Sequence, residues 1–592
     1  MSSLTQRRAH VESLRPWVEM DVVSEADAAV AAALADICGE SSPSVLLAVA
    51  LAVGAPRSGH TAVNLELVKD HAVSRVERSE PDAVEAVLAL PWPTDTSDWR
   101  ESIEQSPLVT ADHAPIVVDH GLVYLRRFHT AEVRVADQIA SLAANECEVP
   151  PTDLVSSVLG LSDSQRQAVE RCCSARLGVL TGAPGTGKTR TVAAILAALL
   201  AVKPDLVIGA AAPTGKAAAR MAGSLSESVS YLAASGESSI ESAAIAIGAI
   251  QPTTVHRLLG VRRDRDEFWH HSGNTLPHDV VVIDEASMLS LSLIDSLLDA
   301  MRPGSRIILV GDAMQLASVD AGSVLGDIAG APGVVGMRVA ELTETHRFDA
   351  DSQIGRFAAA ILAHDVELAQ TVLGELDAQQ RSLDEQSANE SMLQITADLS
   401  VMSNLLTQHG MSLVEHARHD PTDAVNQLDA MRVLCAHRTG PFGVSYWNQY
   451  TQRLLSDAGA HVGHHDVGRP VMVTANDPTS GLFNGDVGVV VATPGGSRIA
   501  FPGADQPSLA PTTLEHLETV YAMTIHKSQG SEFDHVVVVL PPAQSRLATR
   551  ELLYTAVTRA KRRVTLIGTI DSVISAMNRT SLRMSALRQR LV

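Results

Sequence analysis

The stretch Leu177-Gly178-Val179-Leu180-Thr181-Gly182-Ala183-Pro184-Gly185-Thr186-Gly187-Lys188-Thr189 decides the fold. It opens as an apolar strand, turns glycine-rich, and runs into residues 191–201, which are apolar and Ala-rich like a buried helix. A strand that passes through such a loop into a helix gathers backbone N–H groups around one point. The helix N-terminus there favours negative charge. Gly182 to Thr189 is therefore expected to wrap the phosphates of a nucleotide. Lys188 is placed to reach the β- and γ-phosphates and Thr189 to ligate Mg²⁺, so ATP and Mg²⁺ are the expected cofactors.

Outward from this loop the texture repeats. Short apolar strands are expected at 177–180, 206–211, 280–283 and 307–310, each ending in a polar or Gly-rich loop. Fully apolar strands separated by helices predict a parallel, doubly wound sheet. A second set, at 433–435, 520–523, 536–540 and 564–567, predicts a second sheet. Between its first two strands, residues 466–512 carry the turn Gly485-Asp486 followed by alternating valines, the pattern of a small inserted β-barrel. The Ser- and Ala-rich stretch 223–250 reads as a helical or partly mobile surface insertion, and 363–428 as a polar, acidic separator between the sheets. The expected division is an N-terminal domain at 1–150, a first sheet domain at 151–362 and a second at 363–592.

Composition narrows the class. With 592 residues, about three to five domains are expected. At 45% hydrophobic and 19% charged the chain is globular, and at 3% aromatic its cores must be built from aliphatic side chains. Residues 1–17 are polar and basic without an apolar signal region, and the apolar runs fall short of the ~18 residues a membrane helix needs. The five cysteines show no metal-ligand spacing and read as thiols of a reduced, cytoplasmic protein. A net charge of −22 argues against tight non-specific nucleic-acid binding, but it does not constrain what a local groove contacts.

The remaining chemistry lies at strand ends. Val280-Val281-Val282-Ile283-Asp284-Glu285 supplies a carboxylate for the Mg²⁺ shell, Asp284, and a general base for water, Glu285. Residues 307–316 form a strand whose loop ends in Gln315, near the expected γ-phosphate. Ala212-Pro213-Thr214-Gly215-Lys216-Ala217-Ala218-Ala219-Arg220 offers a hydroxyl, a glycine and two cations that suit backbone phosphates. Thr524-Ile525-His526-Lys527-Ser528-Gln529-Gly530 is another polar loop after a strand, and 553–561 is a largely apolar helix that ends in Arg559.

In chain order these segments resemble motifs I, Ia, II, III, V and VI of the superfamily 1 helicases. Residues 161–168 resemble the upstream Q motif and Leu342-Thr343-Glu344-Thr345-His346-Arg347-Phe348 resembles motif IV. Thr254-Val255-His256-Arg257-Leu258-Leu259-Gly260, the stretch 435–444, and 468–473 with 481–488 narrow the likeness to the RecD-type branch. The resemblance implies two RecA-like P-loop domains in an α/β fold, ATP-driven 5′-to-3′ movement on DNA, and Gln165 reading the adenine. It further implies arginine fingers at Arg347 and Arg559, and DNA contacts from Pro213, Thr214, Gly215, Lys216, Arg220, Thr524, His526, Lys527 and Ser528. His256 either touches a nucleotide or is a structural hydrogen bonder.

No Asp/Glu/Lys cluster of the kind a metal-dependent nuclease needs stands out from background. His270, His271 and His278 lack the ligand set of a metal site. If a nuclease activity is attached to the protein, the resemblance implies that a partner subunit carries it. The phosphate loop arrives by residue 182, as in the relatives that work inside a complex with RecB-like and RecC-like subunits, and residues 1–150 are then expected to dock there. The alternatives left open are an autonomous helicase and a non-enzymatic subunit that uses the nucleotide as a switch.

Overall fold

The computed structural model describes residues 3–75, 81–262, 267–344, 352–379, 392–461, 463, 465–477, 480–502, 508–545, 547–581 and 583–592. The N-terminal part is mixed α/β. The apolar helix Pro43–Gly54 is buried along nearly its whole length, against Trp17, Trp92 and Trp99 and a three-stranded antiparallel sheet. That sheet comprises β1 (Ala62–Asn64), β2 (Ile116–Asp119) and β3 (Leu122–Leu125), in the order β1-β3-β2.

The first large sheet holds β4 (Leu177–Gly182), β5 (Ile208–Ala212), β6 (Thr253–Thr254), β7 (Val280–Ile283), β8 (Arg306–Gly311) and β9 (Val339–Leu342). All pairings are parallel, in the order β6-β5-β7-β8-β4-β9. Side chains alternate between two cores, as a period of two requires. Val281, Ile283, Ile307 and Leu309 face one core; Val280, Val282, Ile308 and Val310 face the other. Both faces are covered, which is why the strands read as unbroken apolar runs.

The stretch at 223–250 is not a surface insertion. It forms most of helix Gly215–Ala233 and all of helix Ser238–Gly248, whose Leu225, Leu232, Ile240 and Ile247 are buried beside the phosphate-loop helix Lys188–Val202. Small side chains let three helices pack closely, and their low hydrophobicity hid that role. Helix Arg126–Ala144 likewise buries Val135 and Ile139 in the first sheet's core, upstream of the expected boundary at 150.

The second sheet holds β10 (Met392–Thr396), β11 (Met431–Cys435), β16 (Ala522–Thr524), β17 (Phe533–Val539) and β18 (Ala560–Ile567), all parallel, in the order β10-β18-β17-β11-β16. The described residues of the expected polar separator, 363–379 and 392–428, belong to this unit, with Val372 and Leu373 of helix Val366–Gln379 buried in its core. Helix Gln353–Ala363 buries Ile354 and Phe357 in its core, and β10 pairs with β18. Between β11 and β16 sit β12 (Pro470–Val473), β13 (Val487–Thr493), β14 (Gly496–Ala500) and β15 (Leu517–Thr519). Where a barrel was expected, the described residues form an open antiparallel sheet, β14-β13-β12-β15, without a pairing of β14 to β15. It packs so closely that a Cβ on Gly468 (φ +91°) would lie 2.5 Å from the Val414 Cα.

The C-terminal residues return to the start of the molecule. The Glu132 carboxylate is fully buried and accepts hydrogen bonds from Thr61 Oγ1 (3.0 Å), Tyr124 Oη (3.0 Å), Ser585 Oγ (3.1 Å), the Ala586 amide (3.0 Å) and Arg590 Nε (3.2 Å). Nearby, burial and the Glu132 charge push the Asp327 carboxyl up to about 7. An acid whose folded pKa is raised loses stability as pH climbs from its unfolded value towards the folded one. Asp327→Asn is therefore expected to raise stability by about 1–3 kcal/mol at pH 8 and to change little at pH 4, as read by urea melts at the two pH values.

Candidate active site

Three loops at the C-terminal ends of β4, β7 and β8 meet one helix of the second sheet. In the β4 loop Gly185 and Gly187 take positive φ (84° and 77°), and Lys188 Nζ donates to the carbonyls of Gly182 (2.8 Å) and Ala183 (3.0 Å). The loop is braced from behind by Gln165. Its Oε1 accepts from the Ser162 amide (3.1 Å) in a capping box, and its Nε2 donates to Thr186 O (3.1 Å). A Cβ on Gly187 would come within 2.4 Å of that Nε2. One N–H and one carbonyl lone pair of this amide thus brace the phosphate loop.

β7 delivers Asp284 and Glu285, the latter in the left-handed region (φ +51°), an uncommon conformation for a side chain of this kind. Burial and the adjacent Glu285 charge push the Asp284 carboxyl up, against the pull of Lys188 and Arg220. β8 ends in Asp312, whose Oδ2 accepts from Gln315 Nε2 (3.1 Å) and from Tyr554 Oη (3.1 Å). Tyr554 lies on helix Arg550–Val557 of the second sheet's unit. One residue on, the Leu316 amide donates to Thr555 Oγ1 (2.9 Å) and Gln529 Nε2 donates to Leu316 O (2.7 Å). The β8 loop is therefore hydrogen-bonded to two separate segments of the second unit.

Arg559 follows the same helix and is 1% exposed. Its Nε donates to Thr555 O (3.1 Å), while its Nη2 is buried without a hydrogen-bond partner. Burial lowers its pKa, and Glu285 and Asp312 oppose the shift. Lys188, Thr189, Asp284, Glu285, Gln315 and Arg559 line one cleft of about 330 Å³. A cation with a spare donor, two carboxylates and an anion-wrapping loop converge there, an arrangement suited to a phosphoryl group that gains charge. Arg347 lies outside the described residues.

The residues expected to face DNA divide among several places. Arg220 lines the same cleft, pairs with Glu532 from across the seam and feels both Asp284 and Glu285. Lys216 is held down by burial near Asp429 and Asp486, and Gly215 abuts Phe483 of the inserted sheet. Thr214 caps its helix by accepting from the Ala217 amide (3.2 Å), with Pro213 half-buried ahead of it. His256 is exposed, its ring 5.9 Å from that of Phe268. Ser528 is fully buried and donates to Ile525 O (2.7 Å). His526, pushed down by burial and by Arg583 and Arg438, faces a cavity beneath the N-terminal domain beside His60 and His71. Thr524 and Lys527 line a groove of about 480 Å³ with Arg438, Asn448, Gln449 and Arg469. Spacing gave no hint of that groove, because its walls come from three separate segments, at 438–452, 469–472 and 517–527, that only the assembled sheets bring together.

Comparison with known proteins agrees with this geometry. The family described as RecBCD enzyme subunit RecD, N-terminal domain, matches residues 19–124; an AAA domain matches 160–381, and a UvrD-like helicase C-terminal domain matches 519–567. The chain is similar to the RecBCD enzyme subunit RecD of Mycolicibacterium smegmatis, with 42% identity over 96% of this chain and 98% of that protein. It is also similar to the ATP-dependent RecD2 DNA helicase of Deinococcus radiodurans, at 30% identity over 83% of this chain and 61% of that one. A solved Pif1 helicase from Bacteroides, bound to ADP-AlF3 and single-stranded DNA, overlaps 70% of this chain and 94% of its own, at 18% identity and a TM-score of 0.36, too distant to add to the argument. No described helix is long and apolar enough to cross a membrane.

Arg559→Ala removes a buried guanidinium donor that lines the cleft. It is expected to lower the rate of ATP hydrolysis by about 10²-fold or more while nucleotide still binds, as read by steady-state turnover alongside equilibrium binding.

Proposed function

The chain belongs to the RecD family, and from that premise we propose that it is the ATP-driven DNA helicase subunit of a RecBCD-type exodeoxyribonuclease, moving 5′ to 3′ and opening DNA ends during break repair and recombination. The observation that carries this reading is the seam between the two parallel sheets. A nucleotide cleft built on the first is closed by Arg559 of the second, and the β8 loop is hydrogen-bonded to both Tyr554 and Gln529.

Within the cleft, Gly182 to Lys188 hold the phosphates, Glu285 takes the proton from the attacking water, and Gln315 and Arg559 meet the γ-phosphoryl group. The donor set fits Mg²⁺. Thr189 and Asp284 are hard oxygen ligands beside the phosphate loop, of the kind Mg²⁺ takes together with substrate phosphates. Bound there, Mg²⁺ supplies charge neutralisation to the phosphates. Arg347 is assigned a second arginine-finger role on its motif alone.

DNA runs through the groove of Thr524 and Lys527, with Arg438 and Arg469 on the backbone and few aromatic stacking contacts. The groove presents Arg438, Arg469 and Lys527 beside Glu518, so affinity depends on few phosphates, which suits a motor that must release and rebind. The N-terminal domain docks on RecC-like and RecB-like subunits, the nuclease resides in a partner, and the assembly works in the cytoplasm.

A second reading, an autonomous helicase, has the RecD2 relative in its favour. Strand displacement with the purified chain, with and without RecB- and RecC-type subunits, separates the two. Duplexes with a 5′ tail are expected to be opened and those with a 3′ tail left intact. Lys188→Gln is expected to cut hydrolysis by about 10²-fold or more and to abolish unwinding. Normal unwinding by that variant rules out the mechanism, and 3′-tail dependence rules out the polarity.

A further inference from the structure

Helix Gly215–Ala233 turns a polar stripe towards the nucleotide cleft. Arg220, Ser224, Glu227, Ser228 and Tyr231 all line it, at the three- and four-residue spacing that puts side chains on one helix face. The two ends of the stripe differ in chemistry. Arg220 lies at the phosphate end, where it feels Asp284 and Glu285. About 16 Å further along the helix axis, at 1.5 Å per residue, stands Tyr231. Its ring is 59% exposed and carries the Arg190 guanidinium 5.5 Å from its centroid. Arg190 follows Thr189 directly, so this aromatic–cation pair is anchored to the phosphate loop itself. On its other side Arg190 reaches towards Gly160, in the loop ahead of Gln165.

The cleft lining runs from Lys188 past Arg220 and Ser228 to Tyr231, so a nucleoside triphosphate whose phosphates rest on Lys188 can lie along this stripe, which ends on an exposed aromatic side chain. Gln165, the side chain otherwise suited to a base edge, has its amide engaged with Ser162 and Thr186. We propose that Tyr231, supported by Arg190, is the platform on which the nucleobase of the bound nucleotide stacks, so that the Ser- and Ala-rich helix forms the nucleoside wall of the ATP site. The assignment rests on the cleft being an ATP-hydrolysing site and names the part of it that holds the base. Tyr231 is a binding residue, remote from the reacting phosphate, and its effect falls on nucleotide affinity.

The test compares DNA-stimulated ATP hydrolysis by the full-length wild type, Tyr231→Ala and Tyr231→Phe, together with competitive inhibition by inorganic tripolyphosphate, which has the charge but no base. Stacking of a base on an aromatic ring is worth about 1–3 kcal/mol by alanine substitution, or about 5- to 150-fold in affinity. Tyr231→Ala is expected to raise KM for ATP about tenfold with a smaller change in kcat, Tyr231→Phe to keep the wild-type KM, and tripolyphosphate to inhibit all three proteins equally. An unchanged KM in Tyr231→Ala overturns the proposal, as does an equal loss of ATP and tripolyphosphate binding, which marks general damage to the cleft. A wild-type chain that hydrolyses no ATP sinks the helicase reading instead.

Discussion

The Asp312 carboxylate sits at the end of β8, desolvated, between a nucleotide cleft and a helix of another sheet. Burial pushes its pKa up, and the Met314 amide, Gln315, Tyr554 and the nearby Lys188 charge pull it back. A buried acceptor left unmade costs about 1–3 kcal/mol, more when charged, so this carboxylate holds Tyr554 and Gln315 together. Gln315 faces the cleft and Tyr554 belongs to the second unit. Asp312 is thus the point at which the cleft, through Lys188 and Gln315, meets helix Arg550–Val557.

The next residue extends the connection. The Leu316 amide donates to the Thr555 hydroxyl oxygen, and the Leu316 carbonyl accepts from the Gln529 side chain. Gln529 is two residues past Lys527, which lines the polar groove, so three side-chain hydrogen bonds join the phosphate end of one site to the wall of the other. Arg220 and Glu532 make a further ionic link over the same seam. The helix that carries Arg220 also bears Tyr231, so one element spans from the seam to the far end of the cleft. The C-terminal return to Glu132 ties the end of the chain to helix Arg126–Ala144, the element that joins the N-terminal domain to the first sheet.

Much of this was legible in the residues. Apolar strands ending in Gly182, Asp284 and Asp312 announce a parallel sheet, because both faces of such a strand are buried. The phosphate loop was legible because its chemistry is local. What stayed hidden was non-local or masked by composition. Tyr554 and Thr555 looked like ordinary members of an apolar helix, since nothing in their neighbourhood shows that they meet β8 more than 230 residues upstream. The packing of helices Gly215–Ala233 and Ser238–Gly248 was hidden by their serines, which read as solvent-facing yet are small enough to allow close contact. Arg220 and His526 were placed by motif at a DNA surface, but the side-chain direction that sends one to the nucleotide and the other beneath the N-terminal domain is set by tertiary contacts.

The central claim is that the seam transmits the state of the nucleotide site to the DNA groove. The most direct test is the stimulation of ATP hydrolysis by single-stranded DNA in a Tyr554→Phe/Thr555→Val double variant, which removes two seam hydrogen bonds and leaves the phosphate loop, Glu285 and Arg559 in place. The account predicts that nucleotide binding survives while stimulation by DNA is largely lost. Stimulation equal to that of the wild type would contradict it.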